Sequence, residues 1–166
     1  MSLCLLAFFL AAVTEAAATT THLHLYIHET FMGANATTAS LNAGAIGNSS
    51  SFGSVGAVDD ELREGSDAAS RYLGRAEGLL VQADLRNPSA LCTILNLVFT
   101  DGVYNGSTLV VDGRVDGGGG GAAVERAVVG GTGRFRRARG YSLMSKFGNP
   151  TNSTVVFEMD VYVTMD

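Results

Sequence analysis

The chain has 166 residues, with 11 basic and 16 acidic side chains, so its formal net charge is −5 at neutral pH. This acidic balance argues against a nucleic-acid partner, because the phosphate backbone is bound through clustered lysines and arginines. A hydrophobic fraction of 46% supplies enough apolar surface for one domain to fold around its own core.

The first 18 residues have the pattern of a secretory signal peptide. An apolar run from Leu3 to Val13 is followed by alanines at positions 16–18, which resemble an A-x-A cleavage site. The run is too short to span a bilayer of ~30 Å, and no later segment approaches the required length. We therefore predict a signal peptide over residues 1–18 and a single exported domain over residues 19–166, with no membrane span.

Cysteine content and glycosylation patterns agree with export. Cys4 would leave with the signal peptide, so Cys92 remains without an intrachain disulfide partner. Because Cys92 lies in the apolar run LCTILNLVF, we predict that it is buried and unreactive. The N-x-S/T acceptor pattern occurs at four asparagines, and we predict glycosylation at Asn35, Asn48, Asn105 and Asn152.

The first predicted β-strand contains all three histidines of the protein. Apolar and polar residues alternate along THLHLYIHE, so one face carries Leu23, Leu25 and Ile27 and the other carries His22, His24 and His28. The spacing from His22 to Glu29 matches the core of a cupin metal motif, but the flanking glycines and the later histidine of that motif are absent. We predict histidines on the solvent face, Glu29 on the opposite face, and no native metal site.

Further strands follow in chain order, separated by turns and by a glycine loop at residues 117–121. The predicted strands are Phe52–Val58, Arg71–Ala83, Leu91–Thr100, Ser107–Asp112, Val124–Val129, Phe135–Phe147 and an alternating segment from Thr154 to Met165. Asp59 and Asp60 are predicted to form a turn. About eight short strands and no long amphipathic helix favour an all-β fold, either an eight-stranded antiparallel up-and-down β-barrel or a sandwich. A barrel of this size is either filled or holds one small ligand.

Other common site patterns are not satisfied. In VVGGTGRFRRARGY, Arg136 occupies the place of the third glycine of a nucleotide-binding motif, and no long helix follows. The chain has no G-x-S-x-G, and every histidine precedes the candidate nucleophiles, which argues against a hydrolase. We predict that the basic residues of this segment lie on strand faces, with one or two of them paired with carboxylates, and that Arg139 forms a structural salt bridge. These residues are Arg134, Arg136, Arg137 and Arg139.

Five sequence blocks, in their order and at their spacings, resemble the plant dirigent proteins. They are LYIHETFMGANAT, FGSVGAVDDELREG, SRYLGRAEGLL, LNLVFTDGVYNGSTLVVDGR and AVVGGTGRFRRARGY. The resemblance extends from Leu25 to Val163. It implies an eight-stranded antiparallel β-barrel that forms a homodimer or homotrimer and is secreted to the plant apoplast, the cell-wall space.

The resemblance also implies a function. Dirigent proteins hold monolignol phenoxy radicals, such as those of coniferyl alcohol, so that coupling gives one stereoisomer during lignan or lignin-related phenylpropanoid biosynthesis. An external laccase or peroxidase makes the radicals, so the barrel itself would need no cofactor and would not act as an oxidising enzyme. Two alternatives stay open: a cofactor-free cyclase acting on a quinone methide-type phenolic, and a non-catalytic cell-wall or defence binding protein.

The resemblance assigns candidate site residues. The family's first acid corresponds to Glu29, which is one methylene longer than the usual aspartate, and the arginine of its G-R-A-Q-G block corresponds to Arg75. Asp112 and Asp116 both compete for the second acid, and Arg126 lies near the position of a second arginine. A carboxyl group in an apolar barrel has a raised pKa and can protonate a quinone methide.

Overall fold

The computed structural model describes residues 19–41, 52–117 and 121–165. The predicted signal peptide, Asn48 and the centre of the glycine loop lie outside these ranges. Within them, none of the helices has the length and apolar character needed to cross a membrane.

The described residues form nine β-strands and two short 3-10 helices. The helices are Gly102–Tyr104 and Gly133–Phe135. The strands are β1 (Thr19–Thr30), β2 (Thr38–Ser40), β3 (Val55–Arg63), β4 (Tyr72–Val81), β5 (Ala90–Phe99), β6 (Thr108–Asp116), β7 (Val124–Gly131), β8 (Arg139–Thr151) and β9 (Thr154–Met165).

Eight of these strands close into an antiparallel barrel, which confirms the predicted fold. Strands β3 to β9 pair in chain order, and β9 pairs with the whole of β1. Strand β1 then returns to β3 through three residue pairs, in which Tyr26–His28 lie opposite Arg63–Glu61. The short strand β2 adds to β3 further along the same edge. Closure satisfies the backbone groups that an open sheet would leave at its edges.

The two ends of the barrel interior differ. At one end, the rings of Phe99, Tyr104 and Phe135 pack together, with centroids 4.8 Å apart for Tyr104 and Phe135 and 5.4 Å apart for Phe99 and Phe135. Phe135 is fully buried, as are Val161 and Val163 of β9. The opposite end of the barrel contains the cavity described below.

Several details of the prediction are wrong. Arg134, Arg136 and Arg137 lie in a 3-10 helix and the turn after it, and therefore not on strand faces. Asp59 and Asp60 lie inside β3, paired with β4, and form no turn. Phe135 belongs to a 3-10 helix that precedes β8. Arg139 forms no ion pair with a described carboxylate; its Nη1 donates to the backbone oxygens of Val129 and Ala138.

Cys92 is exposed, so the prediction of a buried thiol is also wrong. Leu91 and Thr93 point into the barrel, and Cys92 and Ile94 therefore point outward. The outer wall at this strand is itself apolar, so hydrophobicity along LCTILNLVF does not distinguish the inner face from the outer one.

Candidate functional site

A cavity of about 250 Å³ occupies the barrel end opposite the packed aromatic rings. Each of the eight barrel strands contributes at least one lining residue, because residues at alternate positions of every strand face the interior. The walls are mainly apolar, and the apolar lining residues are Ile27, Val58, Leu80, Leu91, Leu95, Val115, Met144 and Phe157. Such an enclosure suits an aromatic ring or another flat apolar group.

Four polar side chains interrupt these apolar walls: Glu29, Asp60, Thr93 and Arg126. Glu29 also lines a second depression, of about 320 Å³, which includes Thr37 and Val156. Glu29 therefore borders both spaces. Asp60, by contrast, is buried, with only 4% of its surface exposed.

Asp60 is the most strongly perturbed carboxyl group of the cavity. Burial raises its pKa from 3.8 to about 7, and the nearby charge of Glu29 acts in the same direction. The Thr37 hydroxyl donates a hydrogen bond to the Asp60 carboxylate and acts in the opposite direction. Thr37 is itself held by the backbone N–H of Thr30, which donates to its hydroxyl oxygen at 2.9 Å. An acid with a pKa near 7 can both donate and accept a proton at neutral pH.

Glu29 lies where the alternation of β1 places it, on the face opposite the histidines. It follows Ile27, which is 2% exposed and faces the interior, at the same parity along the strand. Burial raises the pKa of the Glu29 carboxyl group. The cavity therefore contains two carboxyl groups that both favour the protonated form more than free carboxylic acids do.

Arg126 brings a buried cation to the same cavity. It is 2% exposed, and its guanidinium donates to the hydroxyl oxygen of Thr93 at 3.4 Å and to the sulfur of Met144 at 3.1 Å. Its Nε has no hydrogen-bond partner among the described residues. Desolvation lowers the pKa of Arg126 to about 10, which leaves it charged at neutral pH. A buried cation with unused donor capacity can bind an oxygen atom of a ligand.

The chain makes room for Arg126 with a glycine on the neighbouring strand. A Cβ atom at Gly113 would lie 2.9 Å from Cγ of Arg126, so a larger residue there would displace the arginine. This packing requirement explains why the otherwise apolar inner face of β6 is interrupted by glycine.

Three other predicted site residues lie outside the cavity. Arg75 pairs with the exposed Asp59, with 2.6 Å between Nε and Oδ1, on the outer side of the barrel. Asp112 and Asp116 alternate with the inward-facing Val111 and Val115, so they also lie on the outer side. Asp116 accepts a hydrogen bond from the Asn87 amide at 2.7 Å. The structure therefore brings Glu29 and Arg126 together without Arg75, Asp112 or Asp116.

Asp60 is the cavity residue that the sequence prediction did not assign to the site. A signal for it was present, because Asp60 alternates with Val58 and Leu62, both of which are buried. A strand extended through residue 63 would have placed its carboxyl group inside the barrel. Two adjacent aspartates are typical of a turn, and the sequence therefore predicts that the strand ends before them.

Two larger depressions, of about 490 and 540 Å³, are more open to solvent. The first lies beside the connection between β4 and β5, and the second lies at the aromatic end of the barrel, where Phe99 and Tyr104 line it. In these depressions, hydrogen bonds from backbone amides and from Arg114 lower the pKa of Asp84, and a hydrogen bond from Arg71 lowers the pKa of Asp101. We therefore assign the candidate site to the smaller inner cavity, where carboxyl groups are protonated more readily.

Other predicted features lie on the outer surface. The structure describes three of the four predicted glycosylation sites, and all three are exposed: Asn35, Asn105 and Asn152. Within the described part of the chain, one group of side chains could hold a metal ion: His22 and His24 of β1 with Asp160 of β9, on the outer face. The predicted outward orientation of these histidines agrees with the structure.

A family model and individual known proteins match this chain over most of its length. The family model described as dirigent-like protein matches residues 20–164. Dirigent protein 21 of Arabidopsis thaliana is 38% identical over 151 residues, which cover 86% of this chain and 76% of that protein. Pterocarpan synthase 1 of Glycyrrhiza echinata is 35% identical over 154 residues, covering 86% of this chain and 77% of that protein.

Solved structures extend the similarity to three dimensions. The structure of a pterocarpan synthase dirigent protein superposes with a TM-score of 0.79 and 32% sequence identity, over 89% of this chain and 86% of that one. The similarity therefore includes nearly the entire barrel.

Proposed function

The chain belongs to the family of dirigent-like proteins, and we propose that its cavity binds phenoxy radicals of monolignols such as coniferyl alcohol and directs the stereochemistry of their coupling. The radicals come from an external laccase or peroxidase, and the barrel contributes orientation and proton transfer. The observation that carries this proposal is the mainly apolar cavity inside the barrel that contains Glu29, Asp60 and Arg126.

Orientation is the first task of the cavity. Apolar walls hold the aromatic ring of the radical, and the buried Arg126 binds its phenolic oxygen. Holding one reactant in a fixed pose turns a random encounter into an oriented one. A tenfold preference for one product requires a free-energy difference of only about 1.4 kcal/mol between the two approach geometries, which differences in packing can supply.

Proton transfer is the second task. Coupling forms one carbon–carbon bond from two unpaired electrons and leaves a quinone methide. A hydroxyl group of the coupled product then attacks the exocyclic carbon of the quinone methide, and a new ring forms. The quinone methide oxygen takes up a proton while the attacking hydroxyl releases one. Asp60, with a pKa of about 7, can donate the first proton and recover the second, and Glu29 borders the same space.

The test is the coupling of coniferyl alcohol by a one-electron oxidant, with and without the protein, followed by chiral chromatography. We expect an enantiomeric excess with the wild type and its loss with Asp60→Asn or Glu29→Gln. Glu77→Gln, which removes an exposed carboxylate from the outer side of β4, is the matched control and should keep the excess. Racemic product from the wild type would contradict the proposal.

The cavity volume favours a second candidate, a cofactor-free cyclase. About 250 Å³ lies below the ~300–1,000 Å³ typical of small-molecule sites, so the space suits one phenolic better than two. The similarity to pterocarpan synthases points the same way. In this reaction Asp60 would protonate a benzylic hydroxyl, which would leave as water while the phenolic hydroxyl releases its proton, and a quinone methide would result. A second hydroxyl of the same molecule would then attack the benzylic carbon, the quinone methide oxygen would take up a proton, and the proton of the attacking hydroxyl would return to Asp60.

The two candidates differ in their need for an oxidant. A phenolic benzylic alcohol with a pendant hydroxyl group should cyclise in the presence of the protein alone if the second candidate is correct, and Asp60→Asn should abolish this turnover. Turnover without oxidant, together with racemic radical coupling, would select the cyclase. Racemic radical coupling together with no cyclisation would instead favour a non-catalytic binding protein.

The proposal also places the protein in the plant apoplast, where radicals for wall phenolics are made. The signal-peptide pattern of residues 1–18 supports export. A fluorescent fusion at the C-terminus should label the cell-wall space after plasmolysis, and deletion of residues 2–18 should retain the fluorescence inside the cell.

A further inference from the structure

The outer face of strands β1 and β9 carries a cluster of metal-ligand side chains that the proposed function does not use. Nε2 of His22 lies 2.6 Å from Oδ1 of Asp160, and Nδ1 of His24 lies 2.8 Å from the same oxygen. The ligand atoms of the three side chains all lie within 4.8 Å of one another. This convergence follows from register, because His24 pairs directly with Asp160 across the two strands.

The surroundings of the cluster resemble the outer shell of a metal site. The second ring nitrogen of His24, Nε2, lies 3.0 Å from the Tyr26 hydroxyl and 3.4 Å from a carboxylate oxygen of Glu158. Metal-binding histidines commonly use their other nitrogen in this way, because the contact sets the ring orientation and tautomer. The ring of His22 is positioned by stacking on Tyr162, with centroids 4.5 Å apart and planes 6° apart.

We propose that His22, His24 and Asp160 bind a divalent transition-metal ion of the Zn²⁺ or Cu²⁺ class. Two imidazole nitrogens and one carboxylate oxygen form a ligand set that suits these ions, and solvent can supply the remaining positions. The histidine side chains are 47% and 42% exposed and line the open depression of about 540 Å³, so an ion can reach them.

This site differs from the one that the sequence motif indicates. In the pattern from His22 to Glu29, the expected carboxylate is Glu29, but its side chain lines the inner cavity on the other side of the strand. The carboxylate that joins the histidines comes from the neighbouring strand, far away in the sequence. The ion would link β1 to β9 and stabilise the barrel, because a ligand that binds only the folded state shifts the folding equilibrium.

The first test is calorimetric titration of purified protein, without a polyhistidine tag, with ZnCl₂. We expect one Zn²⁺ per chain and a higher thermal midpoint in its presence. His24→Gln and Asp160→Asn should each lower the affinity by more than about tenfold, since loss of even an outer-shell partner typically costs about 10–100-fold. His28→Gln is the matched control: its Nε2 contacts the backbone oxygen of Gly65 and is not part of the cluster, so binding should be unchanged.

The second test identifies the ligands directly. Electron paramagnetic resonance with one equivalent of CuCl₂ should show hyperfine coupling to two imidazole nitrogens in the wild type and in His28→Gln, and to one in His24→Gln. Absence of Zn²⁺ binding to the wild type would overturn the proposal, and so would an affinity that His24→Gln leaves unchanged. These outcomes are independent of the cavity assays, because none of the cluster residues lines the cavity.

Discussion

Asp59 and Asp60 are neighbours in β3 but have opposite environments. The Asp59 side chain is 60% exposed and pairs with Arg75, whereas Asp60 is buried in the cavity. The difference follows from the alternation of a strand, which sends successive side chains to opposite faces of the barrel wall. Because of it, one carboxylate serves an outer ion pair and the next one can serve as an acid.

The raised pKa of Asp60 makes stability depend on pH in a specific direction. Between about pH 4 and 7 the folded chain retains a proton on Asp60 that the unfolded chain has released, so the free energy of unfolding falls as pH rises. A pKa change from 3.8 to about 7 corresponds to a cost of about 4 kcal/mol once the proton is lost. Asp60→Asn removes this cost.

Urea unfolding at pH 4, 5.5 and 8 measures the effect. Relative to the wild type, Asp60→Asn should gain stability progressively across this range, by up to about 4 kcal/mol. Glu77→Gln, with its exposed carboxylate, should track the wild type at each pH. A stability difference between Asp60→Asn and the wild type that stays constant with pH would show that Asp60 ionises normally.

At the scale of the strand, one glycine has a clear structural requirement. Gly140, in β8, has a φ of +154°, a region that L side chains rarely adopt. A Cβ atom there would lie 1.9 Å from the backbone oxygen of Tyr162 in the paired strand β9. The close contact of β8 with β9 therefore depends on the absence of a side chain at this position.

Gly140→Ala should lower the free energy of unfolding by at least about 3 kcal/mol, since it combines backbone strain with a clash against the main chain. Gly148→Ala, in the same strand, is the matched control because a Cβ atom there meets no atom within 4 Å. Chemical denaturation of both variants at one pH gives the comparison. Equal stability of the two variants would refute the requirement.

The whole molecule presents an apolar patch on its outer wall. Leu79 of β4 and Ile94 of β5 form a cross-strand pair and are 42% and 44% exposed. Large aliphatic side chains paired on the outside of a closed barrel suit a contact with a second copy of the chain. We propose that these two side chains are buried in the homodimer or homotrimer that the family resemblance implies.

Light scattering coupled to size-exclusion chromatography tests this interface. The wild type should elute as a dimer or trimer, and Ile94→Lys should shift the population to monomer by placing a charge in the contact. Val103→Lys, which changes a residue that is 72% exposed on the 3-10 helix at the barrel end, should leave the oligomer intact. A monomeric wild type would contradict the prediction.

Local patterns in the chain were sufficient for most of the strands and for the inward orientation of Glu29, because a period of two along a strand separates its faces without reference to other strands. They left a barrel and a sandwich open, and the family resemblance decided for the barrel. They were not sufficient for Cys92, since an apolar outer wall makes the two faces of β5 chemically similar.

Only the tertiary structure decided which side chains meet. Glu29, Asp60 and Arg126 come from strands β1, β3 and β7, and they share one cavity because barrel closure and strand register bring these distant segments to the same level. The same register removes Arg75 from the site and joins Asp160 to the two histidines. Register depends on pairing between remote segments, and a shift by one residue would reverse the face of every side chain.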